Sequence, residues 1–118
     1  MSDCIFCKII QGGIPAPKLY EDDRFIAIRD IRPQAKTHLL VIPKEHVASL
    51  DEAFPVRGET KSDLVGQLFA VGTLLARKHD LLPAGFRSVI NTGVGGGQTV
   101  FHLHLHLLGG ESLQESAL

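Results

Sequence analysis

Apolar and polar residues alternate most strictly near the C-terminal end of the chain, in the run His102-Leu103-His104-Leu105-His106-Leu107. A strand points successive side chains to opposite faces at about 3.3 Å per residue. The spacing therefore predicts a strand with His102, His104 and His106 roughly 6.6 Å apart on one face and Leu103, Leu105 and Leu107 on the other. A helix would scatter the same histidines around its circumference. Upstream, apolar residues at 5, 6, 9 and 10 predict a short helix over 3–11, ended by Gly12-Gly13. Pro15 and Pro17 break the chain before an extended Lys18-Leu19-Tyr20, a hairpin turn at Glu21–Arg24 and a return strand over Phe25–Ile31. Thr37–Pro43 is almost continuously apolar and predicts a central strand. Pro43-Lys44-Glu45-His46 turns out of it into a short helix through Leu50, and residues 54–61 read as a loop.

Thr60-x-x-Asp63 has the form of a capping box opening one long helix that runs to about His79. At 100° per residue, Leu64, Val65, Leu68, Phe69, Val71, Leu75 and Ala76 cover an arc of roughly 160°. Asp63, Gln67, Arg77 and Lys78 take the opposite side. Such an arc is wider than one sheet contact uses; a second subunit on the surplus, making a homodimer, is the expectation, and a simply well-buried helix is the alternative. Phe86–Asn91 predicts a fourth strand ahead of the histidine run. The polar tail, residues 111–118, carries no strong structural signal. Five strands, one long helix and short helical turns, with hairpin spacing in the first half, predict an antiparallel sheet and an α+β fold.

Composition narrows the class without naming it. The 118 residues suffice for one core and one domain, spanning 1–118 with residues 3–110 as its core. A 44% hydrophobic and 21% charged chain is ordinary for a soluble globular protein. Its net charge of −1 offers no basic field for DNA or RNA. No apolar run approaches the roughly 20 residues that span a bilayer, and because Asp3, Lys8 and Lys18 interrupt the apolar residues of the first twenty, no signal-peptide core is expected. The expected address is the cytoplasm, where disulfides are rare.

The chemistry concentrates in the stretch Asn91-Thr92-Gly93-Val94-Gly95-Gly96-Gly97-Gln98-Thr99, which feeds the histidine run. Four glycines leave bare backbone N–H groups that can close on an anion, with Gln98 and Thr99 as further donors. The loop leads into a strand and lacks the lysine of a P-loop, so mononucleotide P-loop and Rossmann fingerprints match poorly. Neutral imidazole is a nucleophile at pH 7 and can attack phosphorus, while neighbouring imidazoles donate to the phosphate. His104, flanked on its face by both others, is the expected nucleophile. Histidines at alternate positions can also share a metal ion. Cys4-x-x-Cys7 leaves three readings open: half of a zinc site, a redox pair or two small buried residues. Asp30, His38 and His46, taken singly, read as turn or structural residues.

His102-Leu103-His104-Leu105-His106-Leu107-Leu108 resembles the histidine triad (HIT) signature, His-φ-His-φ-His-φ-φ, where φ is apolar. Cys4–Ile10, Asp30-Ile31-x-Pro33-Gln34-Ala35-x-Thr37-His38, Val41-Ile42-Pro43-Lys44-x-His46 and Gly96–His102 are similar to the Hint branch of that family. The resemblance covers roughly residues 3–110. It implies a HIT-like α+β fold and a homodimeric nucleotide hydrolase acting at the α-phosphate of purine nucleoside phosphoramidates. Carried onto this chain, it implies that His104 becomes nucleotidylated and that His106, Gln98 and Thr99 contact the phosphate. Asn91 and Gly97 would line the same pocket, His38 would support the triad, and Asp30 would accept from the ribose hydroxyls. Ile5, Phe6, Ile9, Ile28 and Ile31 would hold the base. An apolar pocket of this kind cannot choose firmly between AMP and GMP. The resemblance also implies a structural zinc on Cys4, Cys7, His46 and His102, a Cys₂His₂ set with no ligand left for water. Thr99 departs from the serine of many Hint enzymes, and the tail lacks the tryptophan that some relatives carry. Two rival readings are a metal-dependent hydrolase using the histidine row as zinc ligands and a non-catalytic nucleotide- or partner-binding module.

Overall fold

The first helix, α1 (Ile5–Ile10), starts where the Cys4 side chain accepts the backbone N–H of Cys7. It ends at Gly12, whose φ of 82° only glycine adopts without strain. The computed structural model describes residues 3–115, so the last three tail residues lie outside the described residues. The hairpin follows as expected. β1 (Tyr20–Glu21) and β2 (Phe25–Arg29) flank a turn tied by the Asp22 carboxylate, which accepts the N–H groups of Arg24 and Phe25. β3 (Thr37–Pro43) then pairs with β2 over five positions and is buried on both faces beyond Thr37.

β5 (Leu105–Gly109) lies between β3 and β4 (Arg87–Val89), giving one antiparallel sheet in the order β1-β2-β3-β5-β4. The five-stranded antiparallel α+β architecture matches the expectation. One face packs Phe25, Ala27, Leu39, Val41, Leu103, Leu105 and Leu107 against the long helix α3 (Ser62–Lys78). The other face packs Ile26, Ile28, Leu40 and Ile42 against Phe6 and Ile9 of α1. Among the described residues, no helix is long and apolar enough to cross a membrane.

Several boundaries differ from the sequence reading, each for a tertiary reason. The helix expected through Leu50 is instead α2 (Leu50–Ala53). The carbonyls of Val47 and Ala48 are drawn to Leu103 N–H and the Gln98 amide and are not free for a helical ladder. The capping box does not form. Lys61 occupies the cap of α3 without a side-chain bond, Thr60 meets Ser62, and Asp63 pairs with Arg24 at 3.0 Å. The buried stripe of α3 is Leu64, Leu68, Val71, Gly72, Leu75 and Ala76, which leaves Phe69 and Leu74 exposed. β2 ends at Arg29, because Asp30 accepts Arg32 N–H in a tight turn and leaves Ile31 in solvent. The fourth strand is three residues long. Only His106 of the three histidines lies within β5, although the alternation of faces continues upstream through Leu103 and His102. The start of the tail is also held, by Glu111 accepting Lys36 N–H and by Arg87 donating to the Gln114 carbonyl.

Candidate active site and cysteine–histidine cluster

A cavity of about 430 Å³ opens on the α1 side of the sheet, within the roughly 300–1,000 Å³ usual for small-molecule sites. Ile5, Phe6, Ile9, Ile28 and Ile31 form its apolar wall; Asp30, Asn91, Gly97, Gln98 and Thr99 its polar side; His104 and His106 its floor. Every residue expected around a nucleotide therefore faces one space, except His38, which sits behind His106. Arg29, Arg32, Leu40 and Val100 also line it and were not singled out from the sequence. For Leu40 the signal was present: it lies two residues beyond His38 on a strand, hence on the same face. A larger cavity of about 560 Å³, between the end of α3 and the tail, holds none of the histidines.

Hydrogen bonds fix where the protons sit. His104 Nδ1 lies 2.7 Å from the carbonyl of His102, so Nδ1 carries the proton and Nε2 keeps its lone pair. Gln34 N–H donates to His38 Nδ1 at 3.0 Å, which puts the His38 proton on Nε2. That proton faces His106 Nδ1 at 2.9 Å, with Asp30 Oδ2 at 3.4 Å as a second acceptor. His106 then holds its own proton on Nε2. One ring offers a lone pair and its neighbour an N–H, with centroids 4.9 Å apart. Burial depresses the pKa of His38, His102 and His104, and Asp30 opposes it at His38 and His104. Burial, then His104 and His38, push His106 down to about 4. The imidazoles are neutral at pH 7, as a nucleophile requires.

The glycine loop is not the open anion cradle that its composition suggested. The N–H groups of Gly96, Gly97 and Gln98 close onto Gly93 and Val94 carbonyls, and Gly93 N–H binds Gln98 Oε1. Gln98 is 5% exposed, and its amide donates to Ala48 and Val100 carbonyls. Neither its side chain nor its main-chain N–H is left to meet a phosphate, so Gln98 staples the loop. Asn91 likewise donates to the Gly96 carbonyl. Thr99 is exposed at the cavity, and its hydroxyl and N–H take no partner among the described residues.

Behind this floor the second expected group assembles. Donor atoms of Cys4, Cys7, His46 and His102 all lie within 4.8 Å of one another. Cys4 Sγ is 3.3 Å and Cys7 Sγ 3.6 Å from His102 Nδ1, and His46 Nδ1 is 3.3 Å from Cys7 Sγ and 3.1 Å from His102 Nδ1. Bonds of about 2.0–2.1 Å to nitrogen and about 2.3 Å to sulfur put the corners of a zinc tetrahedron roughly 3.3–3.8 Å apart. The residues fit. His102 is fully buried and donates Nε2–H to the Pro43 carbonyl at 2.7 Å, which turns its Nδ1 lone pair into the cluster. Asp30, His38 and His106 also converge, but Gln34 N–H forces the His38 proton onto the nitrogen that a metal would need. Proton placement therefore separates a cluster suited to a cation from one in which His38 donates to and orients His106.

An antiparallel five-stranded sheet with alternating buried histidines beside an apolar cavity defines a HIT-like α+β protein. Residues 3–117 match the family model described as "Scavenger mRNA decapping enzyme C-term binding". The chain is 51% identical over 111 residues to an uncharacterized HIT-like protein of Synechococcus elongatus, covering 94% of this chain and 93% of that one. Its structure superposes on a HIT family hydrolase from Legionella pneumophila with a TM-score of 0.88 at 45% identity, covering 96% and 97% of the two chains. A zinc-bound histidine triad family protein from Mycobacterium smegmatis matches with a TM-score of 0.81 at 38% identity, over 97% and 81%. The chain belongs to the histidine triad family.

Proposed function

We propose that the chain is a nucleotide hydrolase that cleaves purine nucleoside phosphoramidates at the α-phosphate through a nucleotidyl-histidine on His104. The observation that carries this reading is the locked His104 tautomer, with Nδ1–H on the His102 carbonyl and a bare Nε2 beside the His106 N–H. His104 Nε2 attacks phosphorus, and the P–N bond breaks as the amine departs with a proton taken up from solvent at the Thr99 hydroxyl. The Nδ1–H bond to the main-chain carbonyl stabilises the positive charge that develops on the ring. His106 Nε2–H, oriented by His38, donates to a phosphate oxygen. Water then attacks the phosphorus, releases the nucleoside monophosphate and returns the proton. Asp30 accepts from the ribose, Asn91 and Gly97 bound the phosphate side, and Ile5, Phe6, Ile9, Ile28 and Ile31 enclose AMP or GMP.

Zinc on Cys4, Cys7, His46 and His102 would be structural, since four protein donors leave no position for water. It would tie α1, which carries part of the base wall, to the residue preceding the catalytic run. The exposed Phe69 and Leu74 on α3 suit a second copy of the chain, and two free thiols suit a cytoplasmic address. A metal-dependent hydrolysis at the histidine row is disfavoured because His102 turns its Nδ1 to the cysteines and His106 Nδ1 accepts the His38 proton, so the three rings do not offer lone pairs to one ion.

The test is to mix the protein with an adenosine phosphoramidate, quench within the first turnover and search by mass spectrometry for nucleotide mass on the peptide holding His104. An adduct present in the wild type and absent in His104→Ala is expected. Turnover of His104→Ala should fall about 10⁴-fold or more, the scale of losing a catalytic nucleophile. Undiminished turnover by that variant would sink the proposal.

A further inference from the structure

A second opening lies beside the active cavity, on the far side of Thr99 and Val100. It encloses about 410 Å³ and is lined by Asp3, Cys4, Ile5, His46, Thr99, Val100 and Phe101. Cys4 is partly exposed into it, whereas Cys7 is 4% exposed and behind. The two sulfurs lie within 4.8 Å of each other, and Cys7 N–H donates to Cys4 Sγ at 3.4 Å. One thiol is thus reachable from solvent and the other is placed to resolve whatever forms on the first. The same short helix faces the active cavity with Ile5, Phe6 and Ile9. Phe6 stands edge-on to both His102 and His104, with ring centroids 5.9 and 5.0 Å away.

We infer that Cys4 and Cys7 are a thiol-oxidation site whose disulfide uncouples α1 from His46 and His102 and weakens nucleotide binding. This rests on the nucleotide and zinc readings above. The co-reactant is a small disulfide of the glutathione type. The Cys4 thiolate leaves the metal and attacks it, forming a mixed disulfide and expelling one thiolate, which takes a proton from solvent. The Cys7 thiolate then attacks Cys4, closes the Cys4–Cys7 bond and expels the second thiolate, which is likewise protonated by solvent. The two cysteines together lose two electrons and the small disulfide gains them. With its sulfurs bonded to each other, the cluster keeps only two of four donors, too few to hold a tetrahedral ion. His102 loses its tether to α1, and Phe6 is free to move off His104.

The experiment uses the intact, zinc-loaded chain in three states: reduced, treated with glutathione disulfide, and re-reduced with zinc restored. Zinc release is read with a chromophoric chelator, the thiols by alkylation and mass spectrometry, and AMP affinity by calorimetry. Expected are a Cys4–Cys7 disulfide, release of zinc in step with it and an AMP Kd raised about tenfold, within the range usual for coupled sites. Re-reduction with zinc should restore affinity. A quenched early sample should show the mixed disulfide on Cys4 before Cys7 reacts, which Cys7→Ser should trap. An unchanged AMP Kd after complete disulfide closure overturns the inference, as does a stable mixed disulfide on wild-type Cys4 with zinc retained. Failure of the reduced chain to bind AMP, seen before any oxidant is added, overturns the nucleotide reading itself.

Discussion

At His104 the position of one proton decides what the residue can do. With Nδ1–H held by the His102 carbonyl, protonation at Nε2 would abolish the nucleophile, and burial opposes that protonation. His106 adds a second limit. Its pKa falls from 6.5 to about 4, so it stays neutral across the physiological range. The expected kcat/KM profile is flat around pH 7 and declines on an acid limb toward pH 4; a rate rising as pH falls through 6 would contradict it. The same shift sets a sign for stability. A folded-state pKa below the unfolded one confers stability that is present above pH 6.5 and is lost as pH falls toward 4. Thermal melts between pH 7 and 4 should show a falling Tm, and substitution of His106 should reduce that dependence. The histidine alternation was legible from sequence because it is local. The tautomers were not, because they depend on main-chain groups of Gln34, His102 and Pro43 that sequence patterns do not display.

At the scale of elements, α3 separates two glycines that look alike in the sequence. A Cβ at Gly72 would sit 2.9 Å from Leu105 Cδ2 and 3.4 Å from Leu107 Cδ2, inside the closed core under the sheet. Gly66 meets nothing within 4 Å. Gly72→Ala should therefore destabilise by about 1–3 kcal/mol through overpacking. Gly66→Ala should stabilise by up to about 1 kcal/mol through helix propensity. Urea denaturation of both variants checks the opposite signs. α1 gives a second prediction at this scale. Purified protein should carry one zinc per chain by metal analysis, and Cys4→Ser should lose it; a metal-free, well-folded wild type would refute the structural-zinc reading. The misplaced second helix and the unformed capping box share one cause. Carbonyls of residues 47 and 48 and the Asp63 carboxylate are recruited by partners remote in sequence.

Across the whole molecule, the two faces of one sheet have separate duties. The α3 face is an uninterrupted apolar core, and the α1 face carries the cavity and the cysteine–histidine cluster. What α3 leaves uncovered, Phe69 at 41% and Leu74 at 42% exposure, is the surface on which a second copy is expected. Light scattering should give twice the chain mass, and Phe69→Glu with Leu74→Glu should shift it toward the monomer. A monomeric wild type at micromolar concentration would remove the dimer from the proposal.

The sequence alone determined the histidine and leucine faces, the central apolar strand and the antiparallel α+β class, whereas the four residues of the metal-suited cluster came only from the family resemblance. The faces, the strand and the class follow from period-two alternation and from the near-continuous apolar run. Tertiary structure alone decided that the glycine loop spends its N–H groups on itself. It also decided that Gln98 is a staple and that His38 turns an Nε2–H toward His106 where three converging side chains also suggested a metal. A hydrogen-bonding group has one proton or lone pair to commit, and its partner is chosen by proximity in space, which residue order does not encode.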